Sequence, residues 1–314
     1  MEAVGVRALR APIEVLDVPA PTPEVHDLVV EVRAAGLNPF DWKIAEGILS
    51  PRRPHVFPLV LGLDAAGVVS ATGSAVTAFR VGDEVFGDFI HDPIGQGTFA
   101  RTSIVPEDGV VALRPPEVEA AEAAASPMAG MTALAALDAL ALTPGARLLI
   151  VGASGGVGSF ALQFAHAHGL HAIAAAREDR AGRLSRLGAD RVFEMERGPL
   201  PDQVRAALPD GIDGLLHLIP DAPLFAALAQ LVRRGGAAAT TTYVADVPSL
   251  AGAGVRGVNV SLEPSRELLS RLARELVQGR VKVPLEAKRP LRDGPELLAE
   301  SRAGTLRGKV VLVP

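Results

Sequence analysis

The sequence predicts an α/β protein in which a doubly wound parallel sheet is joined to a second, β-rich domain. Short β-type runs punctuated by glycine fill the chain to about residue 115, and long Ala/Leu runs at helical spacing begin at Glu117. Strands and helices then alternate from Leu148 onward, which is typical of a parallel sheet covered by helices on both faces. With 314 residues, of which 48% are hydrophobic, the chain is long enough for two globular domains.

The β-rich part is predicted from short runs of β-branched and aromatic residues that are separated by turn residues. Strands are expected at residues 13–18, 28–32, 59–61, 67–70, 85–89 and 100–105. Glycines between these runs mark the turns.

The α/β part begins with helices at residues 120–125 and 132–142. Further helices are expected at 180–187, 224–233 and 267–278, and strands at 148–151, 172–176, 215–219, 237–242 and 310–313. The run at 148–151 is apolar without interruption, as expected for a parallel strand that is buried on both faces.

A glycine-rich turn follows this apolar strand directly and leads into a helical pattern. Its residues are Gly152, Ala153, Ser154, Gly155, Gly156, Val157 and Gly158. Glycine lets a phosphate approach the backbone N–H groups at the start of a helix, so the turn predicts a dinucleotide site. The GxGxxG fingerprint fits with Ala153 in place of the first glycine, and a GxxGxxG pattern fits through Gly152. A glycine turn of an unrelated α/β domain is the alternative, whereas a P-loop is excluded because no Lys-Ser or Lys-Thr follows Gly158.

The strand after the turn indicates which dinucleotide binds. It ends at Arg177, and Arg180 follows three residues later. Arginine is suited to the 2′-phosphate of NADPH, whereas NAD sites place an acidic residue there to hold the ribose hydroxyl. The sequence favours NADPH, although Glu178 could serve an NAD site if the loop is shifted by one residue.

Composition excludes several other functions. The net charge of −5 argues against nucleic acid as a partner, and the absence of cysteine removes disulfides, thiolate catalysis and cysteine-based zinc sites. No apolar run reaches 18 residues, and the N-terminus lacks a signal-peptide pattern, so we expect a cytoplasmic protein without a membrane partner.

Eight motifs in order carry a resemblance to a known family. They are GLNPFDWK at 36–43, FPLVLGLDAAGVV at 57–69, FRVGDEVFG at 79–87, GTFA at 97–100, AAASPMAGMTA at 123–133, the turn at 152–158, LGAD at 187–190 and RGKVVL at 307–312. With these motifs the chain resembles the medium-chain dehydrogenases/reductases, in particular their zinc-independent quinone oxidoreductase branch.

The resemblance implies a GroES-like catalytic domain at residues 1–118, completed by 264–314, and a Rossmann NADP-binding domain at 119–263. It also implies a cleft where the domains meet, a homodimer, and NADPH-dependent reduction of a small-molecule quinone or enone. The alternatives are an enoyl reductase acting on thioesters and an NADPH-binding protein without turnover.

The resemblance also indicates candidate site residues. Zinc-dependent alcohol dehydrogenases use a Cys and a Gly-His-Glu motif, whereas this chain has Asn38 and Gly62-Leu63-Asp64 near those positions, so no metal site is expected. Asn38, Asp41 and Lys43 are the catalytic candidates, with Asn38 near the nicotinamide ribose. Lys43 is expected to donate a hydrogen bond or proton to the substrate carbonyl, with a solvated surface lysine as the alternative, and Asp41 is expected to be a structural cap or salt-bridge partner in preference to an acid. Thr132, Tyr243 and Lys309 are expected to contact the cofactor, the last through its phosphates.

Overall fold

A computed structural model describes residues 1–177, 182–306 and 308–314, and it confirms the predicted α/β fold class. The chain forms two compact units. The first unit comprises Met1–Ala129, Pro264–Gly279 and Val283–Pro314, and the second comprises Gly130–Glu263 and Arg280–Lys282.

In chain order, the strands are β1 (Glu2–Val6), β2 (Glu14–Asp17), β3 (Asp27–Gly36), β4 (His55–Val60), β5 (Asp64–Thr72), β6 (Glu84–Asp88), β7 (Ile94–Gln96), β8 (Thr102–Pro106), β9 (Val110–Leu113), β10 (Arg147–Val151), β11 (His171–Ala176), β12 (Arg191–Glu194), β13 (Ile212–His217), β14 (Val232–Thr240), β15 (Arg256–Asn259), β16 (Leu285–Pro290) and β17 (Lys309–Val313). The helices are α1 (Pro39–Ala45), α2 (Ala120–Ala125), α3 (Pro127–Leu140), α4 (Gly156–Ala167), α5 (Arg183–Arg186), α6 (Leu200–Ala207), α7 (Ala222–Ala229), α8 (Val247–Gly252), α9 (Arg266–Val277) and α10 (Gly294–Ala303).

The first unit is organised around β3, which pairs with β5, β8 and β17 in one sheet. A second sheet of the unit has the strand order β2-β1-β4-β7. The antiparallel register of β3 with β17 aligns Gly36 with Val311, so the residues that follow Gly36 run beside those that precede Val311. This pairing brings the start of the motif at residues 36–43 beside β17, the C-terminal strand of the chain.

The second unit contains a parallel sheet with the strand order β12-β11-β10-β13-β14-β15. Both faces of β10 are buried, as its apolar sequence predicts. From β10 the chain adds β11 and β12 on one side of the sheet, and it then adds β13, β14 and β15 on the other side. The point between β10 and β13 where the side changes is the position at which open α/β sheets bind their ligands. Val151 aligns with Ala175 of β11 and with His217 of β13, so the segments that follow these strands lie along the same edge of the sheet.

The boundaries of several elements differ from the sequence-based predictions. Residues 224–233 were expected to be one helix, but α7 ends at Ala229 and β14 begins at Val232. Arg233 and Arg234 look like the polar end of a helix in the sequence, whereas in the structure they form the exposed start of a strand that becomes buried at Ala237. Tertiary pairing thus overrides the local helical pattern. Among the described residues, no helix combines the length and the apolar character that crossing a lipid bilayer would require.

Candidate functional site

The glycine turn of the second unit connects β10 to α4 as the sequence predicts. Gly152 has a φ of +84°, which a residue with a side chain rarely adopts. A Cβ atom at Gly158 would lie 2.3 Å from the carbonyl oxygen of Gly152, so only glycine allows the helix to start this close to the strand. These two glycines therefore fix the shape of the turn.

The first turn of α4 provides backbone donors. The first hydrogen bond between the turn and the helix is donated by Ser159 N to the carbonyl of Gly155. Within the described residues, the backbone N–H groups of Gly156, Val157 and Gly158 have no hydrogen-bond acceptor, as is general for the start of a helix. A helix N-terminus also carries partial positive charge. The turn therefore fits the phosphates of a dinucleotide, and Gly155 leaves open space on the backbone because its Cβ would contact only the Gly152 carbonyl oxygen at 3.4 Å.

The other predicted cofactor residues of this unit lie near the carboxyl ends of its strands or in α3. Arg177 is exposed directly after β11, whereas Glu178 and Arg180 lie outside the described residues. Tyr243 follows β14, is 61% exposed, and has a φ of +60°, a strained conformation for an aromatic residue. Thr132 is buried in α3. The contacts of these residues with the cofactor stay predictions.

His217, at the end of β13, is a buried polar residue that was not predicted from the sequence. Its ring is fully buried and contacts Phe225 edge-on, with 5.5 Å between the ring centroids. Neither ring nitrogen has a hydrogen-bond partner among the described residues. Burial lowers the pKa of His217 to about 4, against the opposing effect of Asp221, so the ring is neutral at physiological pH.

In the first unit, the Asn38 side chain links two charged residues. Its amide nitrogen donates to Asp64 Oδ2 at 2.9 Å, and its oxygen accepts from Lys309 Nζ at 2.8 Å. Lys309 Nζ also donates to the carbonyl of Leu37 at 3.2 Å. We call Asn38, Asp64 and Lys309 the buried triad, because all three side chains are removed from solvent. The structure thus joins two predicted site residues, Asn38 and Lys309, by a direct hydrogen bond and adds Asp64, which was not predicted as a site residue.

Burial controls the ionisation of the triad. It raises the pKa of Asp64 to about 7, an effect that Lys309 opposes and Asp88 reinforces. Both carboxylate oxygens of Asp64 also accept from the backbone N–H of Met128 at 3.1 Å. Burial lowers the pKa of Lys309, and Asp64 and Asp41 oppose this. The triad therefore holds a lysine and a carboxyl group whose charges depend on each other. In the structure the Lys309 ammonium donates within this network, and its contact with the cofactor phosphates stays a prediction.

Asp41 and Lys43 lie on α1, which begins after Asn38. Asp41 Oδ2 accepts from the backbone N–H of Asn38 at 2.7 Å and so caps the helix, while Oδ1 has no partner among the described residues. Burial raises the pKa of Asp41 well above its usual range. Lys43 is only half-buried, and its Nζ lies 5.6 Å from the centroid of the Trp42 ring. The geometry thus gives Asp41 a structural contact and gives Lys43 a cation–π contact.

A small cavity of about 20 Å³ lies within the first unit, beside α1. Its walls are mainly apolar and include Ile44, Leu61, Leu63, Phe89 and Ile94. His91 and Gln96 supply polar side chains. The cavity has room for about one water molecule, which is far less than a small-molecule site needs. Neither His91 nor the pocket was predicted, because the residues come from four separate segments of the chain.

Comparison with known proteins identifies the family. Residues 24–115 match the family described as alcohol dehydrogenase GroES-like domain, and residues 156–252 match the family described as zinc-binding dehydrogenase. The chain is 33% identical to a chloroplast envelope quinone oxidoreductase homolog of Arabidopsis thaliana, over 97% of this chain and 94% of the relative. The chain belongs to the quinone oxidoreductase-like branch of the medium-chain dehydrogenase/reductase family. The resemblance noted in its sequence is therefore confirmed.

A further sequence relative and a solved structure are similar to this chain over most of its length. The 2-methylene-furan-3-one reductase of Solanum lycopersicum is 32% identical over 95% of this chain and 74% of the relative. A solved NAD-dependent alcohol dehydrogenase has a TM-score of 0.86 and 30% identity, with 100% of both chains covered. As a family member, the chain is an oxidoreductase that uses a nicotinamide cofactor.

The donor set does not fit the zinc that appears in the name of one matching family. The chain has no cysteine, and Asn38 and Leu63 cannot supply the thiolate and imidazole that zinc sites of alcohol dehydrogenases use. The described residues contain no cluster of three or more His, Cys, Asp or Glu side chains that could hold a metal. The oxygens of Asp64 already accept hydrogen bonds from Asn38 and Met128.

Proposed function

We propose that this protein is an NADPH-dependent reductase of quinones or α,β-unsaturated ketones that works without zinc. The observation that carries the proposal is the set of side chains in the first unit, where Asn38 and Leu63 stand at the positions at which a zinc site would need a thiolate and an imidazole. Alcohol oxidation needs strong stabilisation of an alkoxide, usually by a metal. Conjugate reduction requires only hydride delivery, hydrogen bonds to the developing oxyanion and a proton.

The reaction is a two-electron reduction in which NADPH supplies a hydride. In an enone, the hydride adds to the β-carbon, the C=C electron pair moves toward the carbonyl, and the resulting enolate takes up one proton. A quinone takes up the same hydride and proton to form a hydroquinone. The protein must therefore orient the acceptor, keep out water and provide one proton donor. The name of the tomato relative, a 2-methylene-furan-3-one reductase, supports a conjugated ketone as the acceptor class.

The glycine turn would hold the cofactor phosphates. The free backbone N–H groups of Gly156, Val157 and Gly158 point to this role, because they are the donors that phosphates use at a helix N-terminus. Asn38 is proposed to contact the nicotinamide ribose, and Thr132 and Tyr243 to line the cofactor site.

The preference for NADPH rests on Arg177. It is exposed immediately after β11, the strand end at which dinucleotide sites distinguish the 2′-phosphate from the 2′-hydroxyl. A guanidinium group binds a phosphate through two parallel hydrogen bonds. Arg180 is proposed to assist. A cytoplasmic location and a homodimer stay predictions.

A direct assay tests the function. The oxidation of NADPH and of NADH is followed by absorbance with a quinone, an enone or an enoyl-CoA, and alcohol oxidation is followed separately with an alcohol and NADP⁺. We expect turnover with the quinone or the enone and a lower KM for NADPH than for NADH. Alcohol oxidation without quinone or enone reduction would refute the proposal, whereas turnover of enoyl-CoA alone would favour a thioester reductase. NADPH binding without turnover of any acceptor would indicate a binding protein.

A variant pair tests the cofactor preference separately. Arg177→Gln is expected to raise the KM for NADPH at least tenfold and to leave the KM for NADH within twofold, because only NADPH carries the 2′-phosphate. Arg191→Gln is the matched control, since Arg191 is exposed at the opposite end of the same sheet, at the start of β12. An equal change in the KM values for NADPH and NADH would show that Arg177 does not bind the 2′-phosphate.

A further inference from the structure

His217, the last residue of β13, lies in the apolar core of the second unit. Leu215 and His217 are on the same face of the strand, and both are fully buried. On this face the imidazole ring contacts Phe225 of α7 edge-on, with 5.5 Å between the ring centroids. Leu215 and Phe225 belong to one apolar core cluster. The ring therefore occupies a position that suits an apolar side chain.

The residues that follow His217 pack against the glycine turn. His217 is aligned with Val151, the residue before Gly152, and the Leu218 N–H donates to the Val151 carbonyl at 3.0 Å. A Cβ atom at Gly152 would lie 3.1 Å from the Cγ2 methyl of Ile219 and 3.3 Å from Cβ of Leu218. Leu218 and Ile219 thus form one wall of the turn, and a displacement of His217 would move this wall.

The surroundings of the His217 ring do not accept hydrogen bonds from it. Nδ1 and Nε2 are both buried and have no partner among the described residues. A neutral imidazole has one N–H group to satisfy, whereas an imidazolium has two and carries a charge. Burial of a charge without a partner costs far more than burial of a neutral polar group. The core therefore tolerates the neutral ring and disfavours the protonated one.

Asp221, at the N-terminus of α7, is the acidic group that favours a proton on His217. Its side chain is exposed and accepts from the backbone N–H of Leu224 at 2.9 Å. Water therefore screens its attraction for the ring. The helix itself, Ala222–Ala229, contains no ionisable residue. Burial outweighs both Asp221 and the backbone of Ile219, and it lowers the pKa of His217 to about 4.

The other elements around β13 bring no carboxylate into hydrogen-bonding contact with the ring, within the part of the chain that the structure describes. The residues of β10 and β14 that are aligned with His217 are Val151 and Thr240. α6 packs against α7, and its Asp202 and Arg205 are exposed and paired with each other at 2.9 Å. The arginines of β10 and β14 lie near the opposite ends of these strands, at Arg147, Arg233 and Arg234.

We propose that His217 is an acid-sensitive switch that opens the second unit at the glycine turn when the pH falls. A ring that takes up a proton leaves the core, because water provides the hydrogen-bond acceptors that the core lacks. Leu218 and Ile219 then move away from Gly152 with the end of β13. The inference goes beyond the proposed function, since it concerns the fold of this unit and is independent of the acceptor that is reduced.

The effect lies between about pH 6.5 and about pH 4. The pKa of His217 is about 6.5 in the unfolded chain and about 4 in the folded unit. A group whose pKa is lower in the folded state contributes its full stability above the unfolded value, and this stability is lost as the pH falls toward the folded value. With these two pKa values, the equilibrium constant for opening rises about twentyfold between pH 7 and pH 5.

The buried acids of the first unit respond to pH in the opposite direction. Burial raises the pKa of Asp64 to about 7 and that of Asp88 to about 6, so these groups bind protons more tightly in the folded state than in the unfolded one. Acid should therefore weaken the second unit and not the first.

Hydrogen exchange at the Leu218 amide tests the switch. Protection factors are compared at pH 7 and pH 5, because they remove the pH dependence of intrinsic exchange. In the wild-type protein the protection of this amide should fall at least tenfold from pH 7 to pH 5. His217→Leu has an apolar side chain that binds no proton, and its protection should fall less than twofold. His217→Asn keeps a polar side chain that does not titrate in this range, and it should behave like His217→Leu.

Two references accompany the measurement. The Leu61 amide of the first unit donates to the Val4 carbonyl at 3.0 Å, and its protection should not fall in acid. His168→Asn is the matched control variant, because His168 belongs to the second unit but is exposed at the end of α4. It should show the same fall at Leu218 as the wild-type protein.

The outcomes that overturn the proposal are distinct. A wild-type fall of less than twofold at Leu218 would mean that no acid switch operates at the turn. If either folded variant of His217 keeps the wild-type fall, another group is responsible. An equal fall at Leu61 would mean that acid acts on the whole chain. None of these measurements uses a cofactor or an acceptor, so the switch and the proposed function can fail separately.

Discussion

The ammonium group of Lys309 donates a 2.8 Å hydrogen bond to the side-chain oxygen of Asn38, although 271 positions separate the two residues in the chain. The pairing of β3 with β17 produces this contact, because Gly36 and Val311 are aligned in the register. The same amide donates to Asp64 at 2.9 Å. Its nitrogen also donates to the Gly36 carbonyl at 3.4 Å. With both N–H groups and the oxygen engaged, the Asn38 side chain has a fixed amide orientation.

Lys309→Met should destabilise the first unit by about 3–5 kcal/mol, because it removes one partner of a buried charged network and leaves Asp64 uncompensated. Urea unfolding followed by the fluorescence of Trp42, the only tryptophan, reports on this unit. Lys288→Met is the control, since Lys288 is exposed and, within the part of the chain that the structure describes, pairs only with Glu119 at 3.5 Å. Its expected cost is below about 1 kcal/mol. Equal losses in the two variants would mean that the buried triad contributes no more than a surface ion pair.

Asp88→Asn should remove part of the pH dependence of stability. Burial raises the pKa of Asp88 to about 6, against the opposing effects of the Ile90 N–H and Arg53. The folded state thus binds this proton more tightly than the unfolded chain, so the stability contributed by Asp88 falls as the pH rises from about 4 to about 6. Above this window, Asp88→Asn should be more stable than the wild-type protein by on the order of 2 kcal/mol.

The measurement of this effect is urea unfolding at several pH values with Trp42 fluorescence. The difference between Asp88→Asn and the wild-type protein should approach zero below about pH 4, where the carboxyl group is protonated in both states. Asp108→Asn is the control, because Asp108 is exposed and should show no such trend. A constant difference across the pH range would contradict the raised pKa of Asp88.

The sequence predicted those parts of the site that depend on local patterns. The apolar run of β10, the glycine turn and the helical spacing of α4 are adjacent in the chain, so strand, turn and helix could be inferred together. Asp41 could be expected to cap a helix, because it follows Asn38 at the spacing of a capping box. The fold class followed from the alternation of such local units.

The remaining parts of the site depend on contacts between distant segments. The role of Asp64 arises only when β5 places it beside Asn38 and Met128, and nothing in its neighbouring residues indicates a buried carboxylate. His91 is a single histidine in a loop, and the pocket around it forms from separate segments. His217 occupies a strand whose apolar neighbours predict burial, yet its unpaired ring nitrogens become evident only in the packed unit. Such properties are set by tertiary packing and not by local propensity.

Two alanine substitutions in the glycine turn should affect different properties, Gly155→Ala the binding of NADPH and Gly158→Ala the stability of the second unit. Gly155→Ala places a Cβ 3.4 Å from the Gly152 carbonyl oxygen, an ordinary contact, so its cost in stability should stay below about 1 kcal/mol. If the turn holds the cofactor phosphates, the new methyl group should weaken NADPH binding tenfold or more, because it occupies the space next to the backbone donors. Gly158→Ala should destabilise the second unit by about 1–3 kcal/mol, since its Cβ would lie 2.3 Å from the same oxygen.

Thermal unfolding and NADPH titration by fluorescence distinguish these effects. Gly252→Ala is the control, because a Cβ at this position of α8 meets no atom within 4 Å. It should leave NADPH affinity unchanged and raise stability by at most about 1 kcal/mol, because alanine favours a helix more than glycine does. Wild-type NADPH affinity in Gly155→Ala would argue against phosphate binding at this turn.

The side chain of Gln163 in α4 forms two hydrogen bonds with the backbone of Lys282, which is 119 positions away in the chain. Its amide nitrogen donates to the Lys282 carbonyl at 3.0 Å, and its oxygen accepts from the Lys282 backbone N–H at 2.9 Å. These two bonds explain why Arg280–Lys282 belongs to the second unit, while the residues on either side belong to the first. Gln163→Met keeps the shape of the buried side chain but leaves both backbone groups of Lys282 without a partner, which should cost about 2–4 kcal/mol.

Hydrogen exchange at the Lys282 amide tests this attachment directly. The amide should exchange at least tenfold faster in Gln163→Met, and Gln163→Glu should give an intermediate rate because it keeps the acceptor oxygen and loses the donor. Gln230→Met serves as the control, since Gln230 is exposed at the end of α7. If exchange at Lys282 stays at the wild-type rate in Gln163→Met, other contacts hold the segment, and the paired hydrogen bonds of Gln163 are not the reason that Arg280–Lys282 belongs to the second unit.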